Sequence, residues 1–97
     1  MGRVADISGY TQAELELWER IARVENDIFY TAKGLPFRIL VSGNEIFVDR
    51  REKSITRASV NIAYTRWLEN KDCGPKALGV FGASYIWAIL KHIFPAE

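Results

Sequence analysis

The chain has 97 residues, of which 48% are hydrophobic and 26% are charged. This length suits one domain, because two halves would each be too small to bury a stable core, and the composition excludes an intrinsically disordered chain. The formal net charge of +1 favours no class of partner, but the charge is unevenly distributed. Residues 1–32 carry a balance of −3 and residues 33–76 a balance of +4, so an acidic first segment precedes a basic middle.

Three features of the sequence bear on the compartment in which the protein is expected. Cys73 is the single cysteine, which excludes an internal disulfide framework. The first ten residues lack the apolar run of a signal peptide, and glycines and charged residues interrupt the apolar stretch over 77–94. We therefore expect a cytoplasmic protein that does not enter a membrane.

The first helix is predicted after a loose lead-in over residues 1–10 of a single domain that spans 1–97. Thr11 and Glu14 have the spacing of a capping box, in which each side chain accepts a hydrogen bond from the backbone N–H of the other residue. Apolar residues then recur at steps of three and four as far as Ile28. This pattern predicts an amphipathic helix of about five turns.

A β-hairpin is predicted next, from two β-favouring runs over 37–41 and 45–49. A two-residue turn at Gly43 and Asn44 fixes its register. The register aligns apolar residues with each other and an arginine with an aspartate, and a shift by one residue would lose both agreements. The predicted pairs are Val41 with Ile46, Leu40 with Phe47, Ile39 with Val48 and Arg38 with Asp49.

A second helix is predicted to begin after Ser54 or Thr56, either of which can cap it, and to end near Asn70. The side chains predicted to face inward or to flank the inward face are Ile55, Ala58, Ile62, Ala63, Val60, Tyr64, Trp67 and Leu68. The opposite face is predicted to carry Arg57, Asn61 and Thr65.

The last segment predicts a short helical turn over 76–81, with Pro75 ahead of it, and a final helix from about Ala83 with Ser84 as a candidate cap. Residues 85–90 are apolar on every side of that helix. Because so short a chain can hardly surround such a helix, part of it is predicted to meet a second subunit. The predicted interface residues are Tyr85, Ile86, Trp87, Ile89 and Leu90.

Together these elements predict an α+β fold of helix, β-hairpin, helix and helix. A two-stranded sheet is marginal alone, so the first two helices are predicted to cover its apolar face. That face comprises Phe37, Ile39, Val41, Ile46 and Val48.

Two strings, Arg51-Glu-Lys-Ser-Ile-Thr-Arg-Ala58 and Gly74-Pro-Lys-Ala-Leu-Gly-Val-Phe-Gly-Ala-Ser-Tyr85, resemble motifs of a family of short, uncharacterised bacterial proteins. The likeness covers about residues 29–90. It implies a bacterial, stand-alone domain. Since no activity is assigned to that family, the resemblance implies no site residue.

The residues for catalysis are sparse, and we expect no enzyme activity, metal or cofactor. Cys73 and His92 are the single candidates for nucleophile and base, and no third residue is evident to orient the base. One cysteine and one histidine cannot close a tetrahedral zinc site. Solvation explains the carboxylates of the first helix, which are Glu14, Glu16, Glu19 and Asp27.

Gly79 and Gly82 have the spacing of a small glycine-rich loop. The Lys-Ser/Thr end of a phosphate-binding P-loop is missing after them, and no strand precedes them. A turn between helices is therefore the favoured interpretation.

A basic cluster over 50–57 is the strongest functional signal. Cations beside the beginning of a helix favour the binding of phosphate, because the free N–H groups there and the positive end of the helix dipole also attract an anion. The segment 54–61 also resembles the beginning of a DNA-recognition helix, with Ser59 and Asn61 placed to approach bases. Lys71 and Lys76 extend this surface in the same hypothesis. The predicted phosphate contacts are Arg50, Arg51, Lys53 and Arg57.

Two functions follow from these patterns, and the sequence leaves both open. The first is a protein-interaction or dimerisation module that uses the apolar surface over 85–90, with another protein or a second copy as partner. The alternative is a DNA-binding protein that uses the segment 50–61. Asp49 and Glu52 lie inside the basic cluster, so a charged connector that only faces solvent remains an equally simple explanation of it.

Overall fold

The computed structural model describes residues 9–94, so most of the predicted lead-in lies outside the described residues. No helix in this range is long and apolar enough to cross a membrane. In chain order the elements are α1 (Gln12–Arg23), β1 (Phe29–Tyr30), β2 (Pro36–Phe37), β3 (Ile39–Ser42), β4 (Glu45–Val48), β5 (Ile55–Thr56), α2 (Arg57–Glu69), a 3-10 helix (Pro75–Leu78) and α3 (Ala83–Ile93).

Helix α1 begins at the predicted capping box but ends earlier than predicted. Thr11 Oγ1 accepts a hydrogen bond from the Glu14 N–H at 3.1 Å, and Glu14 Oε1 accepts one from the Thr11 N–H at 3.0 Å. The helix ends at Arg23, and Asn26 then adopts a left-handed φ of 74°, which asparagine tolerates better than most residues. The prediction that Ile28 continues the buried stripe is wrong, since its side chain is 43% exposed.

The hairpin of β3 and β4 has the predicted register, with Ile39 opposite Val48 and Val41 opposite Ile46. Gly43 has a φ of 59°, as a two-residue turn with glycine in first position requires. The predicted charged pair, Arg38 and Asp49, is joined by two hydrogen bonds that involve the backbone of Arg38 and not its guanidinium. The Arg38 N–H donates to Asp49 Oδ1 at 3.0 Å, and the Asp49 N–H donates to the Arg38 carbonyl at 3.1 Å.

The sheet is larger than the predicted hairpin. Strand β5 pairs with β4, placing Ile55 opposite Ile46, and β1 pairs with β2 in a separate hairpin that aligns Phe29 with Phe37. The α+β class and the single compact domain are confirmed, whereas the expectation of one two-stranded sheet is wrong. Strands of two residues have no alternation to detect, and Ile55 had been assigned to the second helix.

The outer edge of β3 is closed by the residues that follow α1. The Val41 N–H donates to Glu25 Oε2 at 2.7 Å, and the Ile39 carbonyl accepts from the Asn26 N–H at 3.2 Å. These are two of the outward-pointing backbone groups of the strand, because the alternate residues bond to β4.

Helix α2 buries a different face from the predicted one. Thr56 caps it by accepting from the Ser59 N–H at 3.2 Å. Arg57 and Asn61, predicted to face outward, are each 8% exposed, whereas Ile62 is 47% exposed. The helix carries apolar residues on two sides, and β5 leads directly into it, so the buried Ile55 decides which side turns inward. The buried apolar residues of α2 are Val60, Ala63 and Trp67.

Helix α3 is the centre of the core. It contacts α1, α2, β1 and the 3-10 helix, and Ile86, Ile89 and Leu90 are at most 1% exposed in the single chain. Tyr85 and Trp87 are half-buried. The prediction that Ile86, Ile89 and Leu90 meet a second subunit is therefore wrong, because α1, α2, β1 and the 3-10 helix cover them within the chain. For the half-buried Tyr85 and Trp87 it stays a prediction.

Two left-handed glycines connect the 3-10 helix to α3, which confirms the turn interpretation of this segment. Pro75 is the first residue of the 3-10 helix, Gly79 ends it with a φ of 61°, and Gly82 caps α3 with a φ of 76°. Ser84, the predicted cap, lies inside α3 and makes no capping hydrogen bond. A Cβ on Gly82 would lie 2.7 Å from Ile55 Cδ1, so close packing also requires glycine there.

Candidate nucleic-acid interface

The predicted basic cluster is split by the structure. Arg50, Arg51 and Lys53 are exposed on the connector between β4 and β5. Arg57 is buried instead, with its Cζ 4.3 Å from the Tyr10 ring centroid and 4.9 Å from that of Trp18. Its Nη1 donates to Asn44 Oδ1 at 3.1 Å. The prediction that Arg57 faces outward is wrong, because stacking and this hydrogen bond hold the guanidinium inside the domain.

The two side chains predicted to approach bases are also unsuited to that role. Asn61 is buried on the inner face of α2, which contradicts its predicted outward position. Ser59 is half-buried, and its Oγ accepts a hydrogen bond from Thr56 Oγ1 at 3.1 Å within the first turn. The first turn of α2 is thus occupied by capping and packing.

One of the three exposed cations, Arg51, lines a hollow that the sequence did not predict. Its volume is about 580 Å³, and its walls come from the loop after β1, from Arg51, and from the segments at 75–76 and 82–85. Lys33, Arg51 and Lys76 are its charged lining residues, and no carboxylate lines it in the described part of the chain. An anion entering this hollow would meet three cations from three separate segments.

A second hollow of about 370 Å³ adjoins the first. It is lined by Arg50, Arg51, Glu52, Lys53 and Tyr85, so the two hollows share Arg51 and Tyr85. We refer to the two together as the basic groove. Its cations are Lys33, Arg50, Arg51, Lys53 and Lys76, and Glu52 is the one acidic residue that lines it within residues 9–94.

Aromatic rings hold Arg51 at the centre of the basic groove. Its Cζ lies 4.6 Å from the Phe81 ring centroid and 5.7 Å from that of Tyr85. Tyr85 packs edge-on against Phe37 at 4.9 Å, and Phe37 stacks on Phe29 at 5.3 Å. A continuous row of aromatic rings therefore connects the core to this guanidinium. Because the rings already restrict the Arg51 side chain, that side chain would lose less conformational entropy on binding a ligand.

The beginning of α3 adds to the positive potential of the first hollow. Its cap, Gly82, offers no side chain, and its first turn carries no acidic residue. The Ser84 N–H donates to no acceptor within residues 9–94. A free N–H and the helix dipole favour negative charge at such a position, so the Ser84 N–H and the dipole of α3 would add to the effect of the cations.

Lys33 is the member of the groove that no pattern in the sequence indicates. It sits in the Lys33-Gly34 turn between β1 and β2, where Gly34 has a φ of 84°. A lysine in such a turn is usually explained by solvation alone. The first hollow unites residues more than forty positions apart, so no local pattern could reveal it.

The candidate catalytic residues are not brought together as a dyad. His92 Nε2 lies 3.2 Å from Asp27 Oδ2, and its ring packs on Phe29 with centroids 4.6 Å apart. Cys73 is half-buried, and its carbonyl accepts a hydrogen bond from Trp87 Nε1 at 2.9 Å. Over residues 9–94 no three His, Cys, Asp or Glu side chains are grouped as metal ligands.

Comparison with known proteins adds no second line of evidence to this geometry. No protein-family model matches the chain, no curated protein matches it, and no solved structure matches it. The resemblance to short bacterial proteins accordingly stays a prediction, and the basic groove is the feature on which a functional hypothesis must rest.

Proposed function

We propose that this protein binds nucleic acid, and that the basic groove holds the phosphates. The observation that carries the proposal is the convergence of five cations from three separate segments on two adjoining hollows with one carboxylate between them. Phosphate contacts supply most of the affinity of non-specific nucleic-acid binding, and lysine and arginine are the side chains that make them.

The proposal keeps part of the site predicted from the sequence. Arg50, Arg51 and Lys53 remain in it, whereas Arg57 and Asn61 leave it because they are buried. Lys33 and Lys76 take their place on the far walls of the first hollow. The interaction surface therefore moves from the first turn of α2 to the region between the connector, the β1–β2 turn and the beginning of α3.

The alternative of a protein-interaction or dimerisation module has less support. It was based on an apolar surface over residues 85–90, and Ile86, Ile89 and Leu90 now lie in the core. The exposed apolar side chains of the described residues are spread over several elements instead: Ile28, Tyr30, Leu35, Leu40, Phe47, Ile62, Leu68 and Phe81. We therefore favour the basic groove.

Fluorescence anisotropy with labelled DNA and RNA oligonucleotides at about 50 mM salt tests the proposal. The double variant Arg50→Ala, Lys53→Ala removes two cations of the groove. Arg23→Ala, Lys91→Ala removes one arginine and one lysine that are exposed elsewhere, on α1 and α3, so the change in net charge is the same.

We expect the groove variant to bind about tenfold more weakly and the control variant to retain nearly all its affinity, because direct phosphate contacts outweigh the effect of net charge. A flat titration with every oligonucleotide would exclude the proposed function. Equal losses in the two variants would contradict the assignment of the groove.

A further inference from the structure

We infer that the basic groove takes a single strand of nucleic acid, with its phosphates at the cations and an unpaired base against the exposed ring of Phe81. This inference rests on the proposed function and names its substrate class. Three features of the described residues carry it: the blocked first turn of α2, the concave form of the groove, and the aromatic residue beside it.

The first feature removes the usual means of reading a duplex. Major-groove recognition needs a protruding helix or ribbon whose side chains reach base edges. Helix α2 was the candidate, but Arg57 stacks on Tyr10 and Trp18 and Asn61 is buried. Neither side chain can reach a base without unpacking the domain.

The second feature is the form of the binding surface. The cations line a half-open hollow of about 580 Å³ and a shallower one of about 370 Å³ beside it. Sites that enclose a small molecule have volumes of about 300–1,000 Å³, so a nucleotide with its base turned out can enter. A duplex presents a convex row of phosphates and would contact only the rim of these hollows.

The third feature is an exposed aromatic ring beside the groove, in contact with Arg51, which lines both hollows. Phe81 is 42% exposed and precedes Gly82, which lines the first hollow. Arg51 lies over this ring, so a cation for phosphate and π-surfaces for a base are adjacent. Single-strand binding proteins combine these two elements, because every unpaired base offers a π-face to an aromatic ring or a guanidinium.

The test compares one oligonucleotide sequence in three forms: single-stranded DNA, single-stranded RNA and the matching DNA duplex, each titrated by anisotropy at about 50 mM salt. Phe81→Ala removes the ring. Phe47→Ala is the matched control, because Phe47 is also 42% exposed but lies on β4, away from the groove. Phe81→Trp keeps an aromatic surface and controls for a change in folding.

We expect the unaltered protein to bind a single strand at least about tenfold more tightly than the duplex. Phe81→Ala should weaken single-strand binding about fivefold or more and duplex binding by a clearly smaller factor. The loss of the ring that holds Arg51 affects both forms, whereas the loss of base stacking affects the single strand alone. Phe81→Trp and Phe47→Ala should bind as the unaltered protein does. Equal or tighter duplex binding, or a Phe81→Ala variant with full single-strand affinity, would overturn this inference and leave the proposed function in place. Failure to bind any of the three forms would overturn both.

Discussion

At the scale of single residues, two arginines of one sequence cluster differ in burial. Arg51 is exposed on the surface, where Phe81 and Tyr85 hold it at the centre of the groove. Arg57 lies only six positions later and is buried against Trp18. The difference comes from secondary structure, since Arg51 belongs to a connector and Arg57 to the first turn of a packed helix.

This difference predicts unequal losses of stability. Arg57→Ala removes the stacking on two rings and the hydrogen bond to Asn44, so we expect the free energy of unfolding to fall by about 1–3 kcal/mol. Arg50→Ala alters an exposed side chain and should change the free energy of unfolding by less than about 0.5 kcal/mol. Urea denaturation followed by tryptophan fluorescence measures both, and comparable losses would contradict the buried position of Arg57.

A second residue-scale prediction concerns the glycine that caps α3. Gly82→Ala places a Cβ 2.7 Å from Ile55 Cδ1 and forces alanine into a φ of 76°, so we expect a loss of about 1–3 kcal/mol. Gly74→Ala is the control, because Gly74 has a φ of −88° and open space around it. Thermal denaturation should show a lower midpoint for Gly82→Ala only, and an unchanged midpoint would argue against this close approach.

At the scale of the elements, the sequence predicts best those features that depend on neighbouring residues. The Thr11–Glu14 capping box and the register of β3 with β4 were both correct, because each is fixed by residues a few positions apart. The predicted inward face of α2 was wrong. That helix has apolar residues on two sides, and its packing against the other elements determines which side is buried. The strands β1, β2 and β5 have two residues each, which is too short to show the alternation of apolar and polar residues that marks a strand.

The orientation of α2 can be tested with two truncations. Val60 is 1% exposed and Ile62 is 47% exposed. We expect Val60→Ala to reduce the free energy of unfolding by about 1–3 kcal/mol, and Ile62→Ala by less than about 1 kcal/mol although it removes more of a side chain. Chemical denaturation curves decide this, and a larger loss for Ile62→Ala would favour the orientation predicted from the sequence.

At the scale of the whole molecule, the groove exists only once the chain has folded. Lys33 and Arg51 come from two loops and Lys76 from the 3-10 helix, and local patterning cannot bring these segments together. The sequence did indicate the connector, because its three cations lie within four residues. It could not indicate that the beginning of α3 faces the same hollow, since that depends on Tyr85 packing against Phe37.

A salt titration checks the electrostatic origin of binding. If a single strand neutralises about three cations of the groove, the logarithm of the association constant should fall with the logarithm of salt at a slope of about −2. Affinity would then decrease about 15-fold between 50 and 200 mM salt. The Arg50→Ala, Lys53→Ala variant should reduce the slope to about −1, and a slope near zero in the unaltered protein would contradict phosphate binding.

The state of association is a further property of the whole molecule. Because the chain itself covers the apolar residues of α3, we expect sedimentation to give a mass near 11.1 kDa at micromolar concentrations. The exposed apolar residues of the described range are distributed over several elements, and Leu40 and Phe47 are a cross-strand pair among them. A stable dimer would restore the prediction of a second subunit, through a surface other than Ile86, Ile89 and Leu90.

The closed edge of β3 has a consequence for how any partner can bind. Many domains recruit an extended peptide by adding it as a further strand, and this requires unpaired backbone N–H and carbonyl groups along an edge. Glu25 and Asn26 already occupy two of these groups, the Val41 N–H and the Ile39 carbonyl. Strand addition and the edge-to-edge stacking that leads to aggregation would both have to displace these two hydrogen bonds, so both are disfavoured on this side.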